Sequence, residues 1–169
     1  MLIAMLRHCD RVKIACIAQL VNVIAPIMTD NGGSAWAQTI YYPLMQVSNY
    51  GRGTALLPII ETTKHDTLDF SNVPDMDSMS VFNEENGELT IFAVNRDFEE
   101  EIELDVKLID FVGYKPFEYS VMSGYDLTEI NTNCSSPVVP VNAPLPSINN
   151  GHLKVLLPSL SWNVIRLKG

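Results

Sequence analysis

The sequence predicts a mainly β chain: an antiparallel, jelly-roll-like β-sandwich preceded by a helix–strand–helix segment. Three observations predict it. Apolar residues recur at helical spacing before Gly51 and at strand spacing, every second residue, after it. Charge divides at the same place. Residues 1–50 hold Arg7, Arg11 and Lys13 against Asp10 and Asp30, whereas residues 51–169 hold the other 8 of 11 basic and 18 of 20 acidic residues. Finally, 169 residues at 47% hydrophobic and 18% charged content suffice for a buried core and exclude a disordered tail. Two units are therefore expected, residues 1–50 and residues 51–169.

In the first unit, Met1–Leu6 is an apolar run of six that Arg7 ends, too short for a signal-peptide core or a membrane span. Residues 10–22 are expected to be helical. Ile14, Ile17, Ala18 and Val21 make one apolar stripe, with Asp10 placed to cap the start and Asn22 suited to the end. Val23–Thr29 is a continuous apolar run, the pattern of a parallel strand buried on both faces. Asp30–Ser34 follows as a glycine-bearing loop. Residues 35–50 return to helical spacing through Ile40, Leu44 and Val47, with a kink expected at Pro43. Helix, buried strand, loop, helix is the rhythm of a β/α barrel or a doubly wound sheet, with only one strand of it here.

In the second unit the expected strands are 54–60, 77–83, 88–95, 101–109, 117–123, 153–157 and 161–167. The clearest run is 101–108, where Ile102, Leu104, Val106 and Leu108 alternate with charges. Asn86-Gly87 lies between two such runs and signals a hairpin. Residues 131–150, rich in Asn, Ser and Pro, are expected as a long surface loop. Seven strands with turn signals between them fit a sandwich. A net charge of −9 then coats the solvent face of a sheet, protects its edges, and makes nucleic acid and anionic membrane unsuitable partners.

Chemical motifs are sparse. Cys9, Cys16 and Cys134 are an odd set without paired spacing and are expected as reduced, buried thiols. His8, His65 and His152 are scattered, so no metal is expected, and no fingerprint for a cofactor is present. Gly32-Gly33 is expected as a plain tight loop. Glu84-Glu85 and Glu99-Glu100-Glu101 are adjacent acids on strand-like segments, pointing to opposite faces rather than converging on a substrate.

One stretch is specific: Ile24-Ala25-Pro26-Ile27-Met28-Thr29, then Asp30-Asn31-Gly32-Gly33, then Trp36-Ala37-Gln38-Thr39-Ile40-Tyr41-Tyr42-Pro43. It resembles the last barrel strand, loop and helix of the α-L-arabinofuranosidases of glycoside hydrolase family 51. Upstream, Arg7–Ala15 and Gln19–Val23 resemble the preceding helix of that family. Downstream, Tyr50-Gly51-Arg52-Gly53, Asn83–Leu89, Val138-Val139-Pro140 and Leu160–Leu167 resemble its C-terminal sandwich. The resemblance covers nearly the whole chain.

The resemblance implies a (β/α)8 barrel joined to the sandwich, and retaining hydrolysis of terminal arabinofuranose from arabinan or arabinoxylan. That chemistry needs an acid/base and a nucleophilic glutamate about 5 Å apart. No glutamate precedes Glu61, so neither catalytic residue is present. A barrel of this type takes about 250 residues. The chain is therefore expected to be a C-terminal piece, with residues 1–50 the end of a barrel and residues 51–169 the sandwich.

Two substrate contacts transfer by resemblance: Gln38, whose amide hydrogen-bonds arabinose in the −1 subsite, and Trp36 beside it, whose indole lines the pocket. The implied partner is an arabinose-containing oligo- or polysaccharide bound by the full-length enzyme. Residues 1–50 are expected either to repack on the sandwich or to drive self-association into a homo-oligomer. Alone, the chain is expected to be inactive and structural. The alternative reading is a non-catalytic carbohydrate-binding β-sandwich module. The compartment stays open between cytoplasmic and secreted.

Overall fold

In the computed structural model, which describes residues 1–169, two antiparallel sheets pack face to face, and two helices cover the outer face of the larger one. The chain begins with α1 (Leu2–Arg7), runs irregularly to a hairpin of β1 (Ile27–Thr29) and β2 (Ala35–Ala37), and enters α2 (Tyr41–Tyr50). There follow β3 (Thr54–Leu56), β4 (Lys64–His65), β5 (Val73–Pro74), β6 (Met76–Asn83) and β7 (Glu88–Asn95). The chain is completed by β8 (Ile102–Lys107), β9 (Lys115–Met122), β10 (Val141–Asn142), β11 (Ser147–Asn149), β12 (His152–Leu157) and β13 (Ser161–Lys168). The larger sheet has the order β10-β9-β13-β7-β6-β3 and the smaller β11-β12-β8, while β1–β2 and β4–β5 are separate ribbons. No closed barrel forms.

Each of the seven expected strands is present. The first is shortened from 54–60 to Thr54–Leu56, because Pro58 has no N–H to give a ladder and Leu57 and Ile59 turn out to solvent. The expected hairpin forms between β6 and β7, in register Asn83↔Glu88, with Gly87 in the left-handed region at φ +67° closing the turn. On β8 the burial alternates, with Leu104 inward and Glu103 and Asp105 outward, as a strand with one wet face requires.

The central strands differ for a physical reason. β7 and β13 lie in the middle of the large sheet and are covered on both faces, so their burial is nearly continuous. Inward, Leu89, Ile91 and Ala93 of β7 and Ile165 and Leu167 of β13 meet Leu104 of β8 and Leu153 and Leu157 of β12. Outward, Phe92 and Val164 join Met79 and Val81 of β6 under Ile3 of α1, with Leu6, Val47 and Tyr50 packed around them.

Polar braces tie the helices to this outer face. Gln46 of α2 is buried. It donates from Nε2 to Ser120 Oγ at 3.0 Å and accepts at Oε1 from Trp162 Nε1 at 2.8 Å. Arg7 of α1 pairs with Asp77 of β6, whose other oxygen receives Arg96 at 3.0 Å. Arg166 lies over the Tyr50 ring, 4.1 Å from its centroid, and pairs with Glu88 and Glu118.

Residues 1–50 depart from several expectations. The helix expected over 10–22 does not form; the leading helix is α1, on the run Leu2–Arg7. Of the stripe Ile14, Ile17, Ala18 and Val21, only Ile17 meets apolar surface, beside Leu2 and Leu44, and a helix of that length is marginal without a whole face to bury. Gln19 and Asn22 instead take φ +64° and +63°, incompatible with a right-handed helix. Residues 13–21 neither donate nor accept a backbone–backbone hydrogen bond, and Ile14 and Leu20 are 83% and 81% exposed.

The run Val23–Thr29 is not a buried parallel strand: only Ile27–Thr29 is strand, half-buried and antiparallel to β2. Residues 35–37, expected as helix, are that partner strand. Pro43 causes no kink, because it falls in the first turn of α2, where its missing N–H would have no intrahelical partner. Cys9, Cys16 and Cys134 are free but exposed rather than buried. The 131–150 segment is a loop only in part: it contributes β10 and β11, and Asn131 and Val138 are buried within it.

Candidate functional site

The two residues singled out by resemblance sit together on the β1–β2 hairpin. Its loop closes through Asp30 N–H to Ser34 O and Gly33 N–H to Asp30 O, both at 3.0 Å, with Gly32 at φ +70° facing open space. Asn22 brackets the start of the hairpin: its Oδ1 accepts Thr29 N–H at 2.7 Å and its Nδ2 donates to Thr29 Oγ1 at 2.8 Å. The chain thus turns where a helix end was expected, and the polar side chain supplies the turn's hydrogen bonds.

Trp36 faces Met28 in the β register. Gln38 extends the ladder by one step, donating its N–H to Pro26 O at 2.8 Å, and its carbonyl accepts Tyr41 N–H at 3.0 Å where α2 begins. Residues two apart on a strand share a face, so Trp36 and Gln38 lie on one side of the hairpin. Both are half-buried. The indole Nε1 of Trp36 is buried without an acceptor, a costly state of about 1–3 kcal/mol for a polar group inside a protein.

The hairpin is framed by α2 and by the loop after β9. Tyr41 and Tyr42 meet edge to face at 5.5 Å. Burial raises the Tyr42 hydroxyl above the ordinary phenol range, with the Tyr41 and Tyr125 phenols adding to it. Asn131, from the loop, donates to Ala37 O between the two candidate residues at 3.1 Å. Nothing in the loop's composition, which suggested plain surface, pointed to that contact; an Asn among Ser and Pro signals a turn far more often than a buried anchor.

Chemically, an amide and an indole on one face offer hydrogen bonds and an apolar wall to a polyhydroxylated ligand. They move no proton. The acidic residue on the hairpin, Asp30, is exposed and engaged with Asn133 Nδ2 at 2.7 Å. No group of three or more His, Cys, Asp or Glu side chains converges as a metal site would require.

Two further concavities stand out elsewhere on the surface. A wide basin of about 820 Å³ lies beside His65, Arg96 and Asp97. There His65 pairs with Asp75, whose carboxyl is held below the ordinary range by hydrogen bonds from Thr63 and then His65. An apolar groove of about 390 Å³ runs between Leu2 and Ile3 of α1, Ile17 and Leu44, over Val94 and Trp162 of the large sheet.

Solved structures define the class to which this architecture belongs. A family 51 α-L-arabinofuranosidase from Bifidobacterium longum superposes with a TM-score of 0.90 at 33% identity, over 97% of this chain and 32% of that one. Another, from Thermotoga petrophila, shares the fold at a TM-score of 0.83 and 20% identity, over 98% of this chain and 36% of that one. The fold is that of the C-terminal region of these glycoside hydrolases. A family model for the α-L-arabinofuranosidase C-terminal domain matches residues 1–161, and the chain belongs to that family.

Among curated relatives, intracellular exo-α-(1→5)-L-arabinofuranosidase 1 of Bacillus subtilis is 48% identical over 168 residues, and the enzyme of that activity from Acetivibrio thermocellus is 46% identical over 168 residues. Each match takes in 99% of this chain and 33% of the relative, so the chain spans about a third of the length of the relatives it matches.

Proposed function

We propose that this chain is the C-terminal portion of a retaining α-L-arabinofuranosidase acting on terminal arabinofuranosyl residues of arabinose-containing glycans. In this reading residues 51–169 are its β-sandwich and residues 1–50 the end of its barrel. The hairpin supplies Gln38 as a hydrogen-bonding group and Trp36 as a wall of the sugar subsite, while both catalytic glutamates lie on polypeptide beyond this chain. One observation carries the reading: 48% identity across 99% of the chain to an arabinofuranosidase three times as long, in a chain without a glutamate before residue 61. The unpaired backbone of residues 13–21 supports it, because nine residues without a backbone partner, most of them apolar and exposed, leave polar groups and apolar surface that a packed neighbour would cover. Alone in solution, the same exposed segment, with the apolar groove beside Ile17, drives self-association of the chain.

The test is complementation. Purified chain should give no saturable hydrolysis of an aryl α-L-arabinofuranoside. A chimera in which it replaces the last third of the Bacillus subtilis relative should hydrolyse that substrate. Turnover by the isolated chain, or a folded chimera without activity, overturns the reading. Light scattering should show concentration-dependent association of the isolated chain and none attributable to residues 13–21 in the chimera.

A further inference from the structure

The β1–β2 hairpin has three-residue strands, and a two-stranded ribbon of that size does not hold its shape alone. Its register shows where support is needed. Gln38 N–H bonds to Pro26 O, so the next pair along, Ile27↔Ala37, is a non-hydrogen-bonded pair, and the carbonyl of Ala37 points away from β1. That outward carbonyl, between Trp36 and Gln38, is the one Asn131 takes.

Asn131 belongs to the sandwich, 94 residues away in sequence, and is only 1% exposed. Its Oδ1 accepts Val138 N–H at 2.9 Å and its Nδ2 donates to Val138 O at 2.8 Å, so the carboxamide mimics a strand partner for Val138. The remaining Nδ2 hydrogen reaches Ala37 O at 3.1 Å. The side chain therefore bridges a closed loop of the sandwich to the free edge of β2. A second tie lies two residues on, where Asn133 Nδ2 donates to Asp30 Oδ2 at 2.7 Å in the hairpin's own turn. The loop is itself pinned: Tyr125 donates its hydroxyl to Val139 O, and Thr132 N–H to Ser135 O at 2.7 Å.

We infer that Asn131 is a positioning residue for sugar recognition: through Ala37 O it fixes the strand that presents Trp36 and Gln38 to the arabinose. The inference rests on the reading of those two residues given above. It makes the sandwich part of the specificity apparatus, with a single buried carboxamide as the link. Displacing a substrate contact by about 1 Å suffices for a large loss of rate. Loss of the link should therefore act on the enzyme only through the hairpin.

The experiment is a double-mutant cycle in the active chimera. Asn131→Ala should lower kcat/KM at least about 10-fold. In a Gln38→Ala, Trp36→Ala background it should lower it by less than about 2-fold, because the groups it positions are already gone. A merely structural role would give the same factor in both backgrounds, and that result overturns the inference while leaving the proposed function intact. An inactive parent chimera overturns both. In the isolated chain, hydrogen exchange provides the folding control. Asn131→Ala should speed exchange at residues 35–38 and leave β7 and β13 protected. Unchanged exchange at 35–38 would show that no clamp exists, and the inference would fall.

Discussion

Gly53 takes φ +133°, and a Cβ built there would stand 2.2 Å from the carbonyl oxygen of Phe82, on the strand that β3 pairs with. Both backbone and space exclude a side chain, so the Gly51-Arg52-Gly53 link is a place where the chain passes hard against β6. Gly53→Ala should lower stability by more than the about 1 kcal/mol of an ordinary conformational penalty, read as a shift in the urea midpoint. Gln46 is a second such residue. Truncation to Ala strands the buried Ser120 hydroxyl and the half-buried Trp162 indole N–H, and should cost about 1–3 kcal/mol for the buried group and less for the indole. Near-UV circular dichroism of Trp162 reports the loss locally. The sequence marks Gly53 as a break in pattern, but Gln46 reads there as one more polar residue of an amphipathic helix. Its partners come from β9 and β13, 74 and 116 residues away, and no local signal announces them.

At the scale of the element, local pattern succeeds where an element carries its own reason to form. β8 alternates because one face is wet. The β6–β7 hairpin closes because Gly87 accepts a positive φ. Pattern fails where the element depends on something to pack against. The 10–22 stripe is a good helical period with surface to receive Ile17 alone, while Leu2–Arg7 shows little period yet is helical because Ile3 and Leu6 seat on the large sheet. Pro43 shows the same dependence on context. Placed in the first turn of α2 it breaks nothing, so Pro43→Ala should change stability by no more than about 0.5 kcal/mol. A mid-helix proline would have cost about 3 kcal/mol. Thermal denaturation of the pair of proteins distinguishes the two positions.

For the molecule as a whole, acid is the condition to which its electrostatics respond. Asp97 is held below the ordinary carboxylate range by the backbone N–H groups of Glu100 and Glu99, Asp105 by His152 and Lys154, and Asp126 by Thr128. A carboxyl with a lowered folded pKa stabilises fully above the unfolded value of about 3.9, and that stability disappears as pH falls through the lowered folded value. The urea midpoint should therefore stay level from about pH 7 to pH 5 and begin to fall below about pH 4. Asp97→Asn should blunt the drop. The Tyr119 hydroxyl, pushed up to about 12 by burial and by Glu101, stays protonated throughout and keeps its bond to Asn163 at 2.9 Å.

The sequence by itself determined the β architecture, seven of the eleven strands of residues 51–169 and the family, because alternation, turn glycines and ordered motifs are local properties; the short β4, β5, β10 and β11 carry no such pattern. It also determined that no glutamate pair stands before Glu61. Only the tertiary structure decided that the large sheet is buried on both faces, that α1 rather than 10–22 is the first helix, and that Trp36 and Gln38 ride on an antiparallel hairpin. It alone decided, too, that a carboxamide of the sandwich holds that hairpin. Those outcomes depend on which distant surfaces meet, and a buried side chain finds its hydrogen-bond partners across the fold rather than along the chain.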